Sequence, residues 1–161
     1  MLKRHIFKNN SILFVQIYSI SALAFAYYFQ YFENYPPCEL CIYQRIPYYF
    51  SIILALLYLV IPVKDSIVLK LLFLAFISSF VISGFHFGVE NNLWEYNSAC
   101  SSGKKNFENI NDLRSYLEEA PIVKCDEVIL SFWGVSMATL NMLLSFLMSL
   151  FILYSVRKCR I

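Results

Sequence analysis

The run ILSFWGVSMATLNMLLSFLMSLFILYSV, residues 129–156, is 28 residues long and carries no charge. A helix needs about 20 residues to cross a hydrocarbon core of about 30 Å. Three further stretches read the same way. Residues 11–32 are 22 uncharged residues, 46–63 are 18, and 67–89 are interrupted only by Lys70 near the start. Backbone in lipid must satisfy its own hydrogen bonds, so these four segments are expected to be helices. Pro47 suits a first helical turn, where its missing N–H costs nothing. The run at 129–156 is long enough to tilt or to reach past the hydrocarbon. The expected fold is an all-α membrane protein, a four-helix transmembrane bundle forming a single domain over residues 1–161.

Composition excludes the alternatives. Apolar residues make up 59% of the chain and charged residues 15%, against roughly 45–50% and about 25% in soluble domains. A chain of 161 residues folded in water keeps too much surface wet to hide that excess. Disordered chains are poor in aromatics, and this one has 15 Phe and 12 Tyr. The first run is too long for the apolar region of a cleaved signal peptide, about 7–15 residues. It ends in bulky Tyr27, Tyr28, Phe29, Tyr31 and Phe32, so it reads as a retained span with its rings at a membrane interface.

Four spans put both termini on one side. That side receives Lys3, Arg4, Lys8, Lys64, Lys70, Arg157, Lys158 and Arg160, with Asp65 as its one acid. The other side has Arg45, Lys104, Lys105, Arg114 and Lys124 among ten acids. Lys and Arg in short segments mark the cytoplasmic face, so the loops at 33–45 and 90–128 face outward. No patch for nucleic acid emerges. The long loop, 39 residues, is too long for a bare connector. Within it, residues 111–120 read as a short amphipathic helix ended by Pro121, lying on the membrane or packed on the protein itself.

This topology sorts the five cysteines. Cys38, Cys41, Cys100 and Cys125 fall outside, where disulfides persist, and Cys159 falls in the reducing cytosol, a free thiol with no expected role. Four outward cysteines allow three connectivities; their placement favours Cys38–Cys41 and Cys100–Cys125, which spacing alone does not prove. Cys38-Glu39-Leu40-Cys41 is a C-x-x-C, a motif whose thiolate is often stabilised and is the attacking species. Arg45 stands four residues after Cys41, on the same face if a helix begins near Cys41. It is a fixed charge able to stabilise a thiolate or polarise an electron-accepting ligand, and costly at a membrane edge without such a partner. A purely structural bridge is the alternative, weakened by a loop too small to gain much from chain entropy. The second pair closes about 25 residues and is a respectable structural bridge on the same grounds. Small residues surround Cys100, however, and exposed bridges tend to be labile.

A four-thiolate zinc site lacks a second knuckle here, and covalent haem fails because Ile42, not histidine, follows Cys41. No metal is expected. His86 and Glu90, four apart on one helix face, suit proton handling beside a buried ligand or an ordinary interfacial pair. Asn141 reads as an interhelical hydrogen-bonding group.

The run Pro36-Pro37-Cys38-Glu39-Leu40-Cys41-Ile42-Tyr43-Gln44-Arg45 resembles the signature of the DsbB family, disulfide bond formation proteins of bacterial inner membranes. Lys124-Cys125-Asp126-Glu127, then Phe132-Trp133-Gly134-Val135-Ser136-Met137-Ala138 and Asn141, are similar to the family's second cysteine and fourth span. Gly88-Val89-Glu90 ahead of Cys100 also resembles its members. The resemblance implies a thiol–disulfide oxidoreductase that reoxidises DsbA, a periplasmic thioredoxin-fold oxidase, and passes the electrons to a membrane quinone, ubiquinone or menaquinone. That chain is the known means by which the bacterial periplasm is kept oxidising. Carried onto this sequence, Cys100 would form the mixed disulfide with the partner and Cys125 would resolve it. Electrons would pass to Cys38 and Cys41; Cys41 would face the quinone, with Arg45 stabilising the thiolate–quinone adduct or charge-transfer pair. The competing class is a membrane scaffold or transporter whose outer loops are stapled by inert bridges.

Overall fold

The protein is described by a computed structural model covering residues 2–61, 63–96, 125, 131–132 and 134–160, with residues 2–9, 132, 159 and 160 described by their backbone alone. Four long helices cross the molecule: α1 (Leu2–Tyr31), α3 (Ile46–Val60), α4 (Asp65–Glu90) and α5 (Met137–Arg160). A short helix, α2 (Glu39–Tyr43), precedes α3, and a two-stranded ribbon, β1 (Ser131–Phe132) with β2 (Val135–Ser136), precedes α5. Four segments are long and apolar enough to cross a membrane: Asn10–Tyr31 in α1, Glu39–Val60 through α2 and α3 together, Asp65–Glu90 in α4 and Met137–Lys158 in α5. The fold is the expected four-helix membrane bundle.

Its exterior and interior are composed as lipid requires. Outward faces carry Leu59, 80% exposed, Val60, 82% exposed, and many other large apolar side chains. Serines 19, 51, 79, 83, 145 and 155 are fully buried. Lipid is as apolar as leucine, so helices in a bilayer associate through small residues and interhelical hydrogen bonds rather than by hiding grease. Ser19 Oγ donates to Ser51 Oγ (3.1 Å), Ser79 and Ser145 share a bond of 2.9 Å, and Ser155 Oγ donates to Ser11 Oγ (3.2 Å). Helix α4 packs most extensively on α5, and α1 on α3, whereas α1 and α5 touch sparingly.

Two expected boundaries move, each for a local reason. The fourth span was expected to be helical from residue 129, but α5 begins only at Met137. Ahead of it Ser131 pairs with Ser136 and Phe132 with Val135, around Gly134 at φ 80°, a left-handed conformation that glycine adopts at no steric cost. Ser136 Oγ then accepts from Thr139 N–H (3.2 Å), a serine N-cap that starts the helix. The second span ends at Val60 rather than 63, because Ile61 is extended (φ −110°, ψ 131°). The sequence places proline after Ile61, and a residue before proline is pushed out of the α region. The first helix reaches back beyond the apolar run, to Leu2. The amphipathic helix expected at 111–120 lies outside the described residues.

At the far end of α4 the chain folds back on itself. Asn92 takes φ 55°, Leu93 N–H bonds Gly88 O (2.9 Å), and Trp94 Nε1 donates to Phe85 O (3.0 Å). The indole lies so close to Gly88 that a Cβ there would meet Trp94 Cζ2 at 2.1 Å. Only glycine fits.

Candidate active site

The C-x-x-C motif is built on a helix cap. Cys38 is extended (φ −71°, ψ 168°), and its sulfur accepts from the Cys41 N–H, at 3.2 Å. One turn of α2 brings Cys41 back over Cys38, so that Cys38 Sγ donates to Cys41 Sγ at 2.6 Å. A disulfide is about 2.05 Å, so the pair is poised to close with little movement. The hydrogen bond that Cys38 gives to Cys41, and then its burial, push the Cys38 thiol up. Cys38 is the member that keeps its proton.

The link between α2 and α3 aims the next two side chains. Helix α2 starts at Glu39, its last turn tightens as Arg45 N–H bonds Ile42 O (3.0 Å), and α3 begins at Ile46, where the second apolar run starts, with Pro47 in its first turn. Arg45 Nη1 donates to Gln30 Oε1 (2.6 Å), and its guanidinium lies 4.9 Å above the Tyr27 ring. Both partners come from α1. One edge of the guanidinium and one face are thereby fixed; the remaining donors serve whatever lies beside it.

Gln44 points the other way and joins a chain of hydrogen bonds across three helices. Tyr48 OH donates to Asn141 Oδ1 (2.5 Å), Asn141 Nδ2 to Gln44 Oε1 (2.8 Å), and Gln44 Nε2 to His86 Nδ1 (2.7 Å). In that sense Nδ1 is an acceptor, and the ring proton sits on Nε2, which lies 3.6 Å from Cys38 Sγ. Behind it Glu90 Oε1 stands 3.8 Å from His86 Nε2, while Ser136 Oγ donates to Glu90 Oε2 (2.5 Å). The ribbon ahead of α5 is thus tied to the end of α4.

Cys38, Cys41, Gln44, Arg45, His86 and Glu90 line one cavity of about 460 Å³, whose remaining wall includes Phe25 and Phe29 of α1 and Met137, Leu140 and Leu144 of α5. It occupies the space where α1 and α5 diverge. A mostly apolar chamber of this size with a few convergent polar groups suits a small-molecule ring. Cys125 is buried in the same cluster as Cys38, Leu40 and Val89, and the thiols of Cys38, Cys41 and Cys125 are free.

Of the expected site residues, Cys38, Cys41, Arg45, His86 and Cys125 are therefore brought together. Cys100 lies outside the described residues. Asn141 makes the interhelical hydrogen bonds expected of it. Gln30, Gln44, Tyr27 and Tyr48 carried no expected role. Gln30 had a signal, as a polar residue at the end of an apolar run; Tyr27 and Tyr48 are two tyrosines among twelve.

A family model described as disulfide bond formation protein DsbB matches residues 8–155. The chain belongs to the DsbB family. It is accordingly a membrane disulfide bond formation protein, a thiol–disulfide oxidoreductase by family. Within curated proteins it is similar to uncharacterized protein RP370 of Rickettsia prowazekii (strain Madrid E), at 29% identity over 153 residues, covering 94% of this chain and 88% of that one. No solved structure matches it significantly. The C-x-x-C helix, the Arg45 clamp and the buried Cys125 all lie within, or are held by residues of, the stretch shared with the DsbB family.

Proposed function

We propose that this DsbB-family protein takes electron pairs from a reduced DsbA-like thioredoxin-fold oxidase in the periplasm and delivers them to a quinone, ubiquinone or menaquinone, in the bacterial inner membrane. The observation that carries this reading is the shared chamber: two sulfurs 2.6 Å apart and one fixed cation line an apolar cavity between membrane helices. Both termini lie in the cytoplasm on this reading, as the eight basic residues on their side require, and the cysteines face outward.

The residues present fit a quinone head. Flat apolar walls suit the ring, and the free donors of Arg45 and the Nε2–H of His86 suit its two carbonyl oxygens. A bound quinone supplies a lipid-soluble acceptor for two electrons and two protons. Cys41 offers the reacting sulfur, with Cys38 holding the proton that leaves as the bridge closes. Arg45 balances the negative charge on Cys41, and Gln30 and Tyr27 keep it from swinging away. His86, oriented by Gln44, stands 3.6 Å from Cys38 Sγ, within reach of the proton that leaves.

Cys100 forms the mixed disulfide with the partner on this reading, and Cys125 resolves it. The burial of Cys125 beside Cys38 supports exchange between the two pairs. Each exchange breaks one S–S bond and forms one, so the net change is loss of two electrons and two protons by the partner dithiol. A DsbA-type oxidant has a potential of about −120 mV; oxidising it is uphill for ordinary cysteines, so the final acceptor must draw the relay along.

The test is a quinone-reduction assay with purified protein in lipid and a reduced DsbA-like protein, run beside thiol trapping with and without quinone. The reading expects cysteine states that shift with quinone. Static bridges under both conditions, or normal quinone reduction by Cys41→Ser, would sink it.

A further inference from the structure

The proton-handling histidine stands where a metal ligand would. Cys38 Sγ, Cys41 Sγ and one His86 ring nitrogen all lie within 4.8 Å of one another. Glu90 Oε1 is 3.8 Å from His86 Nε2, and both side chains are almost wholly buried. We propose that the reduced site also binds a thiophilic divalent cation of the zinc type, held by Cys38 Sγ, Cys41 Sγ and His86 Nε2, with the fourth position open. The proposal goes beyond the oxidase reading and needs only the dithiol.

Geometry favours it. With Zn–S of about 2.3 Å and Zn–N of about 2.0–2.1 Å, tetrahedral ligands stand about 3.6 Å apart for sulfur and nitrogen and about 3.8 Å for two sulfurs. Cys38 Sγ and His86 Nε2 are already 3.6 Å apart. The two sulfurs, at 2.6 Å, must separate by about 1.2 Å to reach that spacing, a side-chain rotation of Cys41. Charge favours it too. Two thiolates cancel the charge of a dication. Buried charges persist only when matched in this way.

The chain behind His86 accommodates the change. A metal on Nε2 needs its proton on Nδ1, given to an acceptor in the second shell. Turning over the Gln44 amide presents Oε1 to Nδ1–H. Turning over Asn141 lets its Oδ1 accept from Gln44 and its Nδ2 donate to Tyr48 OH, which itself lies 3.4 Å from Ser145 Oγ. Every bond of the chain survives with its direction reversed.

Binding replaces the Cys38 thiol proton, released to water, and moves no electrons. It is confined to the reduced state, because a closed disulfide offers no thiolate. With both sulfurs held by a cation the bridge cannot close, so the ion keeps the dithiol reduced.

The experiment uses full-length protein, reduced and stripped of quinone and metal, titrated with Co²⁺ as a coloured stand-in and then with Zn²⁺. One equivalent should bind, with a thiolate-to-cobalt charge-transfer band that zinc erases. The Cys100→Ser/Cys125→Ser double variant should bind equally well, Cys38→Ser should lose the band, and His86→Ala should bind at least about tenfold more weakly. Substoichiometric binding by the unaltered protein, loss in the double variant, or full affinity in His86→Ala would overturn the proposal. No readout involves quinone, so its failure is separate from failure of the oxidase reading.

Discussion

The half of the bundle near the chain ends and the half near the cysteines are assembled by opposite means. Near the ends, Val15, Val68, Leu69, Leu72 and Ile152 are fully buried and the serine pair Ser11–Ser155 closes the seam between α1 and α5. Phe76, stacked obliquely with Tyr18 and edge-on to Tyr48, forms the floor between the halves. Above it the same two helices part, and polar side chains line the gap. One half holds the helices in place by close fit; the other gives up close fit to keep reactive groups facing a chamber. The expectation is that substitutions sort by half: those above the floor alter chemistry and those below it alter stability.

Four substitutions test that division. The largest effect belongs to Cys41→Ser, expected to abolish quinone reduction while leaving denaturant stability in detergent nearly unchanged. Phe76→Ala should cost on the order of 3 kcal/mol of stability from the cavity it leaves, seen as an earlier unfolding midpoint, with the thiol chemistry of the folded fraction intact. Loss of the Arg45 charge in Arg45→Ala should lower kcat for quinone reduction by about a hundredfold, the scale of removing one preorganised donor, and Gln30→Ala should show a weaker version of the same defect. Ser155→Ala is the smallest, about 0.6 kcal/mol, the average for an interhelical hydrogen bond within a membrane. A Ser155→Ala protein as impaired in turnover as Arg45→Ala would dissolve the distinction between the halves.

Much of this was readable from charge and spacing. Four apolar runs predict four helices because lipid leaves the backbone no other partner, and the C-x-x-C with Arg45 pointed to the cavity now proposed as the site. The failures are local. The start of α5 was missed because hydropathy is blind to a glycine at positive φ and to a serine acting as a cap; both Gly134 and Ser136 sit inside an uncharged run. Gln44 was part of the quoted motif, yet its bond to His86 joins residues 42 apart, and no pattern along the chain encodes that distance. Gly88 is the converse case. It stood in a recognisable tripeptide without a reason, and the Trp94 indole against it is the reason.

The cap on α2 has a consequence for observation. The first turn of that helix hangs from a sulfur rather than an oxygen, through the Cys41 amide. On the proposed reading that sulfur would change its bonding each time electrons pass, from thiol to bridge and back. The amide proton of Cys41 should therefore exchange with deuterated solvent at different rates in the two states, making one backbone position an internal clock for turnover that needs no dye and no altered residue.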